Sequence, residues 1–118
     1  MREELIERFL KFAVFIYKLE NSLCKNYSGR HVYGQLFRSG TSSGANYDEA
    51  TAAESRKDFI HKMQLVLKEL RESRFWIRFI NMTDMIPTDD PELKFLLQES
   101  NELLNIIGKA VSTAKKNQ

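Results

Sequence analysis

Apolar residues recur at steps of three and four through most of this chain, a spacing that matches one face of an α-helix rather than the alternation of a strand. Leu5, Phe9, Phe12, Ile16, Leu19 and Leu23 form the first such stripe, widened by Ile6, Leu10, Ala13 and Tyr17. This predicts a helix over about 3–25 with a broad buried face. Asn26-Tyr27-Ser28-Gly29 reads as its stop, with Gly29 able to turn left-handed and Ser28 placed to cap the next helix. A second helix over about 30–53 keeps the step with small or polar residues: Val32, Leu36, Ser39, Ser43, Asn46 and Ala50. Gly34, Gly40 and Gly44 weaken its propensity, so its neighbours must hold it; small residues permit close approach, and Gly44 is the expected bend.

The third helix, about 55–83, starts at Ser55 with a capping-box-like Asp58 and carries Phe59, Met63, Val66, Leu70, Ile77 and Ile80 as its core stripe. Asp90-Pro91 opens a fourth, about 91–116, with Leu93, Leu97, Ser100, Leu104, Ile107, Val111 and Ala114 inward. Five Gly and two Pro in 118 residues are too few to turn a many-stranded sheet. The whole chain, 1–118, therefore reads as one all-α domain, an antiparallel up-down-up-down four-helix bundle assembling into a homo-oligomer. Phe37, Leu65, Phe75, Trp76 and Phe79 fall off the core stripes and are the candidate oligomer interface.

Charged residues early in the chain, such as Arg2, Glu3, Glu4, Glu7 and Arg8, interrupt any leader-like apolar run, and no membrane span is expected; the expected location is cytoplasmic. One cysteine, Cys24, excludes an intrachain disulfide and reads as an inert buried thiol. His31 and His61 lack a partner motif for nucleophilic or acid–base work, so no catalytic residue is assigned and no enzyme is expected. Asp58-Phe59-Ile60-His61 is a lone look-alike of the paired Glu-x-x-His repeats of di-metal bundles, and no phosphate-cradling glycine loop occurs, so neither metal nor cofactor is expected.

The net charge of +2 argues for no partner, but residues 56–86 hold seven basic against four acidic side chains. At 100° per residue Lys57, His61, Gln64, Lys68, Arg71 and Arg78 line one face, with Phe75 and Phe79 along it. Basic side chains interleaved with aromatics suit nucleic acid, and Lys57, His61, Lys68, Arg71, Arg74 and Arg78 are the candidate contacts. A solvated outer face, balanced by Asp89, Asp90, Glu92, Glu99 and Glu102, is the plainer alternative. Gln35, Arg38 and Glu49 run beside Asn46, and an antiparallel neighbour would bring Glu69 and Glu72 to Arg38. These six residues form the candidate structural polar seam, in which Arg38 is expected to pair with at least one carboxylate in a partly buried site, so that losing one partner would cost ~3 kcal/mol or more if burial is complete.

Gln35-Leu36-Phe37-Arg38-Ser39-Gly40-Thr41-Ser42-Ser43-Gly44-Ala45-Asn46-Tyr47-Asp48-Glu49-Ala50 resembles the signature of the four-helix-bundle proteins related to S23, encoded by intervening sequences of bacterial 23S ribosomal RNA genes. Ser55 to Met63 and Leu67 to Arg78, with its Lys-Glu and Trp pattern, continue the likeness. Gln35, Leu36, Arg38, Ser39, Asn46, Glu49, Phe59, Glu69, Glu72 and Trp76 fall on recurrent positions of that family. Ser43-Gly44 stands where many relatives have Ile-Pro, and Glu49-Ala50 where Glu-Gly is usual. The resemblance implies an up-down bundle forming a homo-oligomer, with pentamers in the family, and no enzymatic activity. Related bundles serve as accessory proteins to reverse transcriptases and turn basic surfaces toward nucleic acid. The expected function is thus a non-enzymatic, self-associating bundle binding a macromolecular partner, RNA or an RNA-associated protein such as a reverse transcriptase. The alternative is a structural oligomer holding a small ligand in its core or subunit grooves.

Overall fold

Local capping chemistry sets where the helices begin. The structure, a computed structural model, describes residues 2–117. Its helices are α1 (Arg2–Tyr17), the single turn α2 (Glu20–Leu23), α3 (Tyr27–Ala50), α4 (Arg56–Thr83) and α5 (Pro91–Lys116), and the described residues contain no strand. Ser55 Oγ accepts from the Asp58 amide at 3.0 Å, and Asp90 Oδ2 accepts from the Leu93 amide at 3.0 Å ahead of Pro91. The Asp58 carboxylate does not return the bond in a capping box; it faces Lys62 at 3.6 Å. α4 ends at Asp84, the one described non-glycine residue with positive φ, at 55°, a conformation that Asp tolerates.

The start of α3 departs from the sequence expectation. Asn26, rather than Ser28, is the cap, its Oδ1 accepting from the Gly29 amide at 2.8 Å. Gly29 has no positive φ and lies buried in the first turn, because a methyl there would collide with the Leu23 carbonyl oxygen. It is needed for close approach, not for a turn. The first helix also does not run unbroken to 25: Leu19 donates to Ile16 three residues back at 3.0 Å, and this tightened turn separates α1 from α2 while keeping Leu19 and Leu23 in the core. Gly44 breaks nothing, since α3 is one continuous helix from Tyr27 to Ala50.

The long helices surround a core built from Phe9, Phe12 and Ile16 of α1, Leu36 of α3, Met63, Leu70, Ile77 and Ile80 of α4, and Leu93, Leu96 and Leu103 of α5. α3 touches α1 and α4, and α5 closes against α4 and α1. The molecule measures 46 × 21 × 21 Å. α3 supplies little bulk of its own: Ser39, Gly40 and Ser43 are fully buried or nearly so. α1 fills that space. A methyl on Gly44 would meet Phe9 Cβ at 3.1 Å, and one on Gly40 would overlap Ile16 Cδ1. Tyr47 then stacks on Phe9 with ring centroids 5.1 Å apart.

Assignments to the core stripe change in three helices. Leu10 and Tyr17 are exposed, because they lie at the edge of the α1 stripe, beyond its contacts with α3 and α5. In α4 Ile60 is buried and Phe59 only partly so. In α5 Leu96 and Leu103 join the core while Leu97 and Ala114 are half-buried, because α5 packs against both α4 and α1 and so buries a wider sector than one stripe.

Two glycine substitutions separate close packing from helix propensity. Gly29→Ala forces a buried backbone shift and should lower stability by about 3 kcal/mol, the upper end of overpacking. Gly34 is exposed mid-helix with open space around it, so Gly34→Ala should raise stability by about 0.5–1 kcal/mol. Denaturant midpoints of the two variants would shift in opposite directions.

Candidate functional site

The α4 register presents Lys57, His61, Gln64, Lys68, Arg71, Phe75, Arg78 and Met82 outward, all exposed, on the side away from the core stripe. Its first half is polar and basic. Its second half is apolar, with Phe75 59% exposed and Met82 77% exposed, and Phe79 beside them. Arg74 stands apart from this row: half-buried, it donates to Asn101 Oδ1 of α5 at 3.3 Å, so packing against α5 removes it from the candidate contact face.

Phe75 and Phe79 both meet Trp76 edge-to-face, with centroids at 5.0 and 6.0 Å. His31 of α3 meets the same indole edge-to-face at 5.9 Å and stacks on Tyr27 at 6.4 Å. Trp76 is half-buried by this; Leu65 is also half-buried, whereas Phe37 stays 38% exposed and stacks on Tyr33 at 5.6 Å. The five candidate interface residues thus lie on or beside one side of α4, with Phe37 on the adjoining α3.

Between α3 and α4 the Arg38 guanidinium donates to Glu69 Oε2 at 3.0 Å and ion-pairs closely with Glu72. Trp76 Nε1 also donates to Glu72 Oε2, at 3.2 Å. The chain Arg38–Glu72–Trp76 therefore links the seam to the aromatic cluster. Glu72 is held below its ordinary value of 4.5 by the Arg38 hydrogen bond first and the Trp76 bond next, against desolvation. Arg38 is correspondingly raised, Glu72 being the main cause. The Arg38 side chain keeps 48% exposure, so this pair sits in solvent-screened surroundings rather than a buried site. The seam does not take in Asn46, whose amide donates to Ser42 O at 2.9 Å within its own helix. Gln35 is half-buried and Glu49 exposed, neither bonded to Arg38 or its carboxylates among the described residues.

The more buried ion pair escaped sequence reasoning, which placed Glu99 on a solvated face. Glu99 is 7% exposed and accepts from Arg8 at 2.9 and 2.6 Å, two parallel bonds from one guanidinium. Arg8 reaches Glu102 as well, at 3.1 Å, and is held above its ordinary value chiefly by Glu99. Nothing in the spacing marks this pair, because its partners lie 91 residues apart. Nearby, Phe15 and Phe95 pack at 4.4 Å beneath the Lys11 ammonium, which lies 5.1 Å from the Phe95 ring centre.

Cys24 is half-buried rather than buried, in the turn after α2, and burial pushes its thiol up, with Glu20 adding to the shift. That opposes thiolate formation. No cluster of three metal-ligating side chains and no helix long and apolar enough to cross a membrane occurs among the described residues. Surface grooves include one of about 680 Å³ between the start of α4 and the end of α5, lined in part by Arg56, Phe59 and Lys109, a polar one of about 390 Å³ at Glu49, Glu54 and Lys62, and one of about 300 Å³ between α1 and α3.

A helical bundle with a charged and aromatic outer helix defines the class. The chain belongs to the 23S rRNA-intervening sequence protein family, whose profile matches residues 3–109. It is similar to a solved protein of unknown function from the S23 ribosomal protein family of Bacteroides thetaiotaomicron VPI-5482. The two are 31% identical over 95% of this chain and 99% of that one, with a TM-score of 0.81. No curated protein matches the chain.

The two ion pairs should respond differently to removal. Arg8→Met leaves the nearly buried Glu99 unpaired and should cost about 2 kcal/mol, less than for a fully buried pair because Arg8 keeps 35% exposure. Arg38→Ala should cost under about 1 kcal/mol. Because Glu72 titrates lower when folded, its contribution is present above pH 4.5 and lost as pH falls through the folded value. Urea midpoints of Glu72→Gln should accordingly show a shallower acid decline than the wild type.

Proposed function

We propose that this chain is a non-enzymatic bundle that associates with copies of itself and binds RNA, alone or with an RNA-associated protein such as a reverse transcriptase, on the outer face of α4. The observation that carries the reading is the exposed row Lys57, His61, Lys68, Arg71 and Arg78, uninterrupted by any acidic residue on that face. Family membership supports a link to ribosomal RNA genes, since intervening sequences lie within them. His31 is engaged by Tyr27 and Trp76, and Cys24 is held as thiol, which speaks for a non-catalytic role. The register in which Phe9 faces Gly44, Arg38 faces Glu69 and Arg74 faces Asn101 supports an antiparallel up-down-up-down order. Exposed Phe75, Phe79 and Met82 support self-association, with a pentamer as the expected size.

Four phosphate contacts to single-stranded RNA would weaken binding ~50-fold between about 50 and about 200 mM salt. Fluorescence anisotropy should show that salt dependence and little sequence preference. Lys68→Glu with Arg71→Glu should abolish the binding without lowering the melting temperature, since both side chains are exposed. No binding at low salt would sink the RNA reading and favour the small ligand, for which the groove at Arg56, Phe59 and Lys109 offers room.

A further inference from the structure

Exposed apolar side chains occur on two separate faces of the molecule. One is the outer ridge of α4, where Phe75, Phe79 and Met82 stand exposed with a hollow of about 200 Å³ among them. The other is the concave groove between α1 and α3, floored by Ala13, Gly44 and Ala45 and rimmed by Ile6, Leu10 and Asp48, with Val14 exposed beyond it. α1 and α4 each pack on α3 and α5 rather than on one another, so the two faces lie on diagonally placed helices. No single patch of a second molecule covers both.

We propose that the α1–α3 groove is the receiving face of a head-to-tail contact between copies of this chain, filled by the α4 ridge of a second copy with its Arg78 against Asp48. The inference rests on the self-association proposed above and names the surface that the ridge meets. Three arguments carry it. Shape matches, because small residues make the groove concave where the ridge presents large side chains. Charge matches, because Asp48 in the groove wall and Glu3 and Glu7 of the adjoining α1 are exposed, while Arg78 stands within the ridge. Symmetric pairing fails on both counts: ridge on ridge brings two sets of arginines together, and groove on groove brings the acids together across a void. A contact between two different patches repeats from copy to copy, closing as a ring where its rotation closes and running on as a filament where it does not. It leaves Lys57, His61, Lys68 and Arg71 uncovered for RNA.

Light scattering on the full chain and two variants tests this. Ala45→Arg blocks the groove and Phe75→Glu blocks the ridge; both positions are exposed, and circular dichroism checks that each variant keeps its helices. Each variant alone should run near 13.8 kDa, and an equimolar mixture should form a dimer and nothing larger, because one good groove meets one good ridge. Should Ala45→Arg unfold the chain, Asp48→Arg and Arg78→Asp serve instead, each weakening assembly and the double variant restoring it. Wild-type assembly that survives Ala45→Arg, a mixture that stays monomeric, or no rescue by the double variant would overturn the proposed contact while leaving self-association intact. A wild-type mass of 13.8 kDa would overturn both. If Trp76 fluorescence of that monomer were quenched by single-stranded RNA, the ridge would instead be a base-stacking surface.

Discussion

The near-absence of side-chain bulk on the buried face of α3 is the constraint on which the rest of the structure depends. Ser39, Gly40 and Ser43 lie at the centre of the molecule, where a helix ordinarily presents Leu or Ile. Such a helix gains little from its own burial and has four glycines against its propensity. It is stable only if other helices approach closely enough to bury their large side chains against its backbone. Phe9, Phe12 and Ile16 supply that from one side, and Leu70, Ile77 and their neighbours from the other. Each side chain inserted at Gly40 or Gly44 has a fixed height along α3, so the small residues also set the register of α1.

Polar groups in the same core are a consequence of that closeness. The Ser39 and Ser73 hydroxyls share a hydrogen bond of 2.8 Å across the α3–α4 contact, and each also lies within reach of a carbonyl of its own helix, Leu36 O at 3.3 Å and Glu69 O at 2.9 Å. Ser43 returns to Gly40 O at 2.7 Å and Ser100 to Leu97 O at 3.2 Å. No buried side-chain polar atom among the described residues lacks a partner, so the small polar residues bring no desolvation penalty into the core. The bidentate Arg8–Glu99 pair does the corresponding work between α1 and α5, where a lone Glu99 would be costly to bury.

Much of the fold was legible because long amphipathic helices declare themselves locally. The 55–83 and 91–116 segments carry their caps, their stripes and their stops within a few residues, and Ser55 and Asp90 cap as their types suggest. What was illegible depends on partners distant in sequence. The role of Gly44 is set by Phe9, which chain spacing alone does not bring near. The Lys18–Leu19 break has no Pro or Gly to announce it. At the candidate site, helical projection put the α4 basic row on one face, since that is a property of one helix. The same projection missed that Arg74 turns to Asn101 and that Glu99 leaves the surface, because both depend on which helix lies alongside.

The division of α4 into a basic first half and an aromatic second half gives one helix two different demands on solvent. Lys57, Lys68 and Arg71 are most favourable when hydrated or against phosphate, and salt screens what they contribute. Phe75, Phe79 and Met82 are most favourable when dehydrated, and salt does not weaken that. Trp76 sits between them, one edge in the aromatic cluster and its Nε1 on Glu72, which Arg38 in turn holds. The Arg38–Glu72–Trp76 chain is too exposed to add much stability, but it fixes the indole, and the indole supports both Phe75 and Phe79. A half-exposed ion pair of this kind is therefore better understood as orienting an apolar surface than as holding two helices together.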